Sequence, residues 1–219
     1  NAGDEAATNE AFGRFPAWIN ELGRAGGPGF LSGGLTGETT VYLEPGYYIV
    51  ECYVKSDGIF HSTPPADGEL GMLMPLTVTA ESNGAPEPEA EVTLALRNTG
   101  IQIVSGELVA GVNRIRVDFV EQQALPSFVG NDVHVMRVTG PDSIARASDW
   151  MDWMRPDGLE DPAPVEFLGG INDMSAGAHG SFTVELTPGD YAFIGEMPNP
   201  QTAGFVLPFS VPATLAARP

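Results

Sequence analysis

Short runs of alternating apolar and polar residues recur along the chain, separated by clusters of Gly, Pro, Asn and Asp, and that rhythm predicts β-strands. The runs fall at 39–43, 47–55, 72–79, 91–97, 114–119, 132–138, 181–186, 191–197 and 204–211. Glu44, Pro45 and Gly46 make a turn signal between the first two runs, which predicts that they pair as a hairpin. Along 47–55 the two-residue period puts Tyr48, Val50, Cys52 and Val54 on one face, with the thiol among apolar neighbours. Helical spacing is found twice. Pro16, Trp18, Ile19 and Leu22 predict a short helix stopped by Gly23, and Asp142 or Ser143 opens a second that runs to about residue 154 with Trp150, Trp153 and Met154 on its apolar side. The glycine-rich stretch 26–37 lacks the lysine and the strand-loop-helix setting of a phosphate cradle, and is expected to be loop. Residues 1–10 are small, polar and aperiodic, and are expected to form a mobile tail.

Composition sharpens the all-β expectation. The chain has 219 residues, 27 Gly and 19 Pro with 42% hydrophobic residues, enough for one large or two modest domains with many short strands. Asp and Glu number 29 against 10 Lys and Arg, a formal charge of -19, and the sole lysine is Lys55. Such a field repels phosphate backbones and anionic headgroups, so nucleic acid is not an expected partner, and a partner with a basic surface is. No apolar run is long enough for a membrane helix. The opening residues resemble the start of a processed or truncated chain, so an anchor upstream is left open. A single cysteine excludes an intrachain disulfide framework and leaves Cys52 as a buried small hydrophobe, a free thiol or a metal ligand.

The two halves echo each other. LEPGYY at 43–48 matches LTPGDY at 186–191, GMLMPLTV at 71–78 matches GFVLPFSV at 204–211, and LSGGL at 31–35 parallels LGGI at 168–171. A repeat of this kind implies two copies of one fold. The motif of Leu43, Pro45, Gly46, Tyr48, Cys52, His61, Gly71 and Met72 resembles the closing motif of the cupredoxins, specifically their plastocyanin- and halocyanin-like members. The resemblance implies an all-β fold of two cupredoxin-like Greek-key β-sandwich domains with short helices. The first would occupy 1–80 and lack its opening strands, a Pro- and Glu-rich linker 81–90 would follow, and 91–219 would be the second.

For chemistry, the resemblance implies copper held by Cys52 as thiolate, His61 as imidazole and Met72 as a weak axial thioether, with a second imidazole from an earlier strand. His134 occupies that strand position in the second copy, where Gly195 and Phe205 align with Cys52 and Met72, so a copper-free second domain is expected and His134 is a weak candidate. Eight residues separate Cys52 from His61 and ten separate His61 from Met72, wider than a compact ligand loop. His179 is expected on an exposed turn. The acidic loop 157–161 has no regular calcium spacing and is expected to be solvated. No nucleophile elbow or His-Glu metal motif is present, so an enzyme is not expected. The expectation is a periplasmic or extracellular, non-catalytic subunit with a structural or docking role among other protein subunits of a membrane-associated respiratory or photosynthetic assembly, without a cofactor. The alternative is a mononuclear copper electron-transfer protein using Cys52, His61 and Met72.

Overall fold

The computed structural model describes residues 22–65, 71–82, 84–123, 130–153, 155, 157–197 and 199–213. The expected tail over 1–10 and the expected helix around Trp18 lie outside the described residues.

The protein is an all-β sandwich, and alternation explains its first sheet. Strand β8 (Gly111–Phe119) buries Asn113, Ile115, Val117 and Phe119 and turns the residues between them outward. β11 (His179–Leu186) sends Phe182, Val184 and Leu186 inward, and β6 (Val92–Arg97) sends Val92, Leu94 and Leu96. With β1 (Glu38–Val41) and β7 (Gly100–Ser105) they form a sheet in the order β1-β11-β8-β6-β7. Only β6 and β8 run parallel in it.

The second sheet is antiparallel, in the order β10-β9-β12-β13, from β9 (Val133–Val138), β10 (Phe167–Ile171), β12 (Gly189–Ile194) and β13 (Val206–Val211). Alternation weakens there because both faces are covered. Val133, Val135, Tyr191 and Phe193 face the first sheet, while Met136, Ala192 and Ile194 pack under helix α1 (Ser143–Met151) through Ala147, Trp150 and Met151. Fully burying a side chain such as Phe193 or Ile194 contributes about 1.5–3 kcal/mol each. Ser143 secures the helix start by accepting, at Oγ, hydrogen bonds from the N–H groups of Thr139 and Gly140.

One expectation is sharpened and one corrected. The stretch 26–37 is loop with isolated bridges, as expected, and its residues 26–32 are laid antiparallel along β10, with Gly26 N–H to Asp173 O, Asn172 N–H to Gly27 O, Gly29 N–H to Gly170 O and Ser32 N–H to Phe167 O. Its glycines allow a close approach, since a Cβ on Gly29 would stand 2.7 Å from Gly170 Cα and 2.7 Å from His134 Nδ1. The chain then crosses to the other sheet, where β1 pairs with β11 in the register Glu38↔Thr183 to Val41↔Gly180. β1 and β2 (Gly46–Glu51) therefore do not form the expected hairpin. Pro45 has no N–H to continue a ladder, and the turn becomes a corner closed by the Tyr48 hydroxyl donating to Glu44 O at 2.7 Å. The aligned corner in the second half behaves alike: it takes the chain from β11 in one sheet to β12 in the other, and the Tyr191 hydroxyl donates to Thr187 O at 2.7 Å.

The remaining strands are short ribbons. β2 pairs with β5 (Leu73–Val78) and β3 (Lys55–Ser56) with β4 (Ile59–Phe60). The latter hairpin turns on Asp57 (φ 54°) and Gly58 (φ 75°), the left-handed pair that a tight two-residue turn needs. It docks on the loop before β10 through Lys55 N–H to Leu159 O and Asp161 N–H to Lys55 O. The buried Lys55 ammonium donates to the carbonyls of Trp153 and Arg155. Glu87, in the stretch expected to be a linker, pairs with Arg116 and with His179 Nε2.

Candidate functional site

Cys52 follows directly on β2 and His61 directly on β4, so the wide spacing between them is taken up by the β3–β4 hairpin. Backbone bonds hold the motif together: Cys52 N–H to Met72 O (3.0 Å), Met72 N–H to His61 O (2.7 Å) and His61 N–H to Val54 O (2.9 Å). Cys52 Sγ stands 3.5 Å from His61 Nδ1. The other ring nitrogen, Nε2, is 2.7 Å from Ser56 Oγ, and Ser56 in turn donates to Asp161 Oδ1 at 2.7 Å. A carboxylate only accepts, so the serine proton goes to Asp161 and Ser56 accepts from His61 Nε2–H. Nδ1 is left with its lone pair facing the sulfur. The Met72 side chain is 59% exposed, and its ties to the pair are those of its backbone.

His134 is the same Nε2–H tautomer in a closed setting. It is fully buried on β9, its ring stacked on Phe30 with centroids 4.4 Å apart. Phe30 N–H donates to its Nδ1 at 3.0 Å, so the proton sits on Nε2 and points at Asp132 Oδ2, 3.2 Å away. Asp132 Oδ1 accepts from Glu196 N–H at 2.7 Å, and Glu196 Oε2 accepts from the Tyr53 hydroxyl at 3.0 Å. Burial, with Asp132 nearby, raises the Glu196 carboxyl well above its ordinary range. Burial, again with Glu196 and Asp132 nearby, raises the Tyr53 hydroxyl as well.

Potential ligand atoms of Asp132, His134 and Glu196 lie within 4.8 Å of one another, but the nitrogen that faces the two carboxylates carries a proton. A metal there would require that ring to lose its one N–H proton, so the cluster suits shared protons rather than an ion. A trigonal copper centre needs a thiolate and two imidazoles. Cys52 and His61 supply one of each; both His134 nitrogens are hydrogen-bonded, and His179 Nε2 lies 2.9 Å from Glu87 Oε1. The three histidines of this chain do not complete that set.

In the second half, Gly195 and Phe205 reproduce the backbone bond of Cys52 to Met72, with Gly195 N–H to Phe205 O at 2.9 Å. A Cβ on Gly195 would come within 2.8 Å of the Phe205 ring, so the aromatic fills the space a thiol would use. The first half is open at this place. Cys52 and His61 line a cavity of about 680 Å³ between the halves, walled by Phe30, Leu31, Trp150 and Phe167.

Ser56 gave no signal in the sequence and Asp161 stood out only as part of the acidic loop, because the two are distant in the chain and meet only when the β3–β4 hairpin docks. The same holds for Asp132, Glu196 and Tyr53. Around Asp161 the acidic loop is used for docking, with Glu160 accepting from Gly58 N–H and Asp157 pairing with Arg155.

No protein-family model matches the chain, and no curated protein matches it in sequence. Among solved structures it is similar to a sodium-dithionite-reduced auracyanin from the photosynthetic bacterium Roseiflexus castenholzii, at 14% identity and TM-score 0.40 over 54% of this chain and 94% of that one. It is also similar to auracyanin B, at 21% identity and TM-score 0.40 over 59% of this chain and 94% of that one.

Proposed function

We propose that the chain is a non-catalytic, cupredoxin-like sandwich subunit that works outside the cytoplasm by accepting a strand of a partner protein on the free edge of β2. One observation carries this reading. β2 and β5 pair in the register of β12 and β13 (Gly46↔Val78 and Gly189↔Val211), yet β12 has β9 on its other edge, whereas among the described residues β2 pairs with β5 alone. The ribbon is also apolar and exposed: Tyr47 is 91% exposed, Ile49 72% and Met74 57%. A two-stranded ribbon is marginal in water, and an open apolar edge is a template for strand addition.

The occupant is an extended, antiparallel strand with alternating apolar residues, as β9 is on β12, flanked by basic residues that suit the net charge of -19. Placement outside the cytoplasm rests on the motif resemblance of residues 43–72. The test is capture from native membranes with identification of the co-purifying subunit. The same subunit is expected to be lost with Ile49→Lys, and hydrogen exchange of the β2 amides is expected to slow in the complex. Recovery as a free monomer, or unchanged exchange at β2, counts against the reading.

A second reading, a mononuclear copper electron-transfer protein using Cys52, His61 and Met72, is favoured by the 3.5 Å between Sγ and Nδ1. Metal bonds of about 2.0–2.3 Å at a tetrahedral angle leave two ligand atoms about that far apart. Its second imidazole would have to come from residues outside 1–219 or from another chain. Copper(II) titration decides it: strong thiolate-to-copper absorption that disappears in Cys52→Ser supports it, and a colourless protein at saturating copper removes it.

A further inference from the structure

The hydrogen bonds around His61 describe a thiol held against a base. Asp161 takes the Ser56 proton, Ser56 takes the Nε2 proton of His61, and the free lone pair on Nδ1 faces Cys52 Sγ at 3.5 Å. Nucleophile, base and orienting groups stand in the order that activates a side chain for attack. Both Cys52 and His61 open into the cavity of about 680 Å³, whose Phe30, Leu31, Trp150 and Phe167 walls suit an apolar organic molecule. Copper binding does not use the cavity, and strand docking at β2 uses none of these groups.

We propose that this pair captures an apolar organic disulfide by thiol–disulfide exchange. Cys52 Sγ attacks one sulfur of R–S–S–R′ while its proton passes to His61 Nδ1. The new Cys52 Sγ–S bond forms as the S–S bond of the ligand breaks, and the leaving R′ sulfur takes the proton from the imidazolium and departs as R′–SH. The disulfide oxidation state moves from ligand to protein, and the R group stays in the cavity.

Two features favour a disulfide over an acyl electrophile and capture over turnover. An acyl electrophile develops charge on oxygen and needs N–H donors beside the nucleophile, but the backbone N–H groups of Cys52, His61 and Met72 are already bonded to Met72 O, Val54 O and His61 O. Disulfide exchange keeps the developing charge on sulfur, where the imidazolium answers it. Cys52 is also the only cysteine among the 219 residues, so no second thiol within them can expel the bound group.

The test uses metal-free full-length protein at neutral pH, with 2,2′-dithiodipyridine as the apolar aromatic disulfide and oxidised glutathione as a charged one. One label per chain is expected, with the aromatic disulfide reacting at least about tenfold faster with folded than with denatured protein, and glutathione disulfide gaining no such advantage. His61→Asn is expected to slow aromatic labelling by about tenfold or more with an unchanged circular-dichroism spectrum. Leu31→Trp, which narrows the cavity, should slow the aromatic disulfide while leaving the small reagent methyl methanethiosulfonate unaffected. This separates the cavity from the base and guards against a variant that merely misfolds. Equal rates for folded and denatured chain, or a His61→Asn variant that labels at the original rate, would overturn the proposal.

Discussion

β2–β5 and β12–β13 are two renderings of one backbone plan. Each follows an L-x-P-G-x-Y corner, each tyrosine donates to the carbonyl four residues before it, and the two ladders have the same register. Their surroundings are opposite. β12 lies between β13 and β9, so Tyr191 and Phe193 are fully buried, whereas the aligned Tyr48 is half-buried and Val50 is 43% exposed. The corner and the register are thus properties of the local sequence, and burial is conferred by the third strand. Where that strand is present, Gly195 and Phe205 close the core; beside β2, where the described residues hold no such strand, Cys52 and His61 border a cavity.

The comparison can be broken most forcefully at the aligned pair Phe193 and Val50. Phe193→Ala is expected to cost about 3–5 kcal/mol in urea unfolding, as for other buried Phe→Ala changes. Val50→Ala is expected to stay within about 0.5 kcal/mol, as at other exposed positions. Equal losses would mean that β2 is buried in solution. Gly29→Ala probes what seals the second half instead: with His134 Nδ1 and Gly170 Cα each 2.7 Å from the new Cβ, overpacking of about 1–3 kcal/mol is expected by the same measurement.

Smaller effects should separate the two tyrosines. Tyr191→Phe removes a buried hydroxyl that bonds Thr187 O at 2.7 Å and Thr187 N at 3.1 Å, and about 1 kcal/mol is expected. Tyr48→Phe breaks the same corner bond in an exposed setting and should lower the melting temperature by less. The smallest effect is a slope. The folded-state value of Glu196 is raised above its ordinary 4.5, so its proton contributes stability that is complete below that pH and is lost as pH rises toward the folded value. Glu196→Gln carries no titrating proton there, so melting temperature should fall less between mildly acidic and alkaline pH than in the parent. A parent curve that rises over the same window would contradict the assignment.

Much of this was legible in the chain itself. Alternation located β8 and β11 within a few residues, because a strand with one face on the core and one in water writes its period into the sequence. Helix α1 was visible for the same reason. The partner of the glycine-rich stretch was not: glycines carry no hydrophobic period, and what fixes that stretch is close contact with Gly170 and His134 in the far half of the chain. The expected hairpin of β1 with β2 failed for a related reason, since turn residues report a change of direction but not whether the next strand stays in the same sheet.

The candidate site divides in the same way. Cys52, His61 and Met72 were recognisable by type and order, and the Asp57–Gly58 turn between them is a local signal. The states of the histidines could not be read, because a tautomer is set by the groups at the two ring nitrogens. For His61 those are Cys52 and Ser56, with Asp161 behind it; for His134 they are the Phe30 N–H and Asp132. By itself the sequence determined most of the strands, though not β7 or β10, together with the two corners and the inventory of chemical groups, all governed by interactions a few residues long. Only the tertiary structure decided which edge has no partner strand among the described residues, which histidine keeps a free lone pair and that the one thiol borders a cavity. Those outcomes depend on contacts between segments whose sequences carry no record of each other.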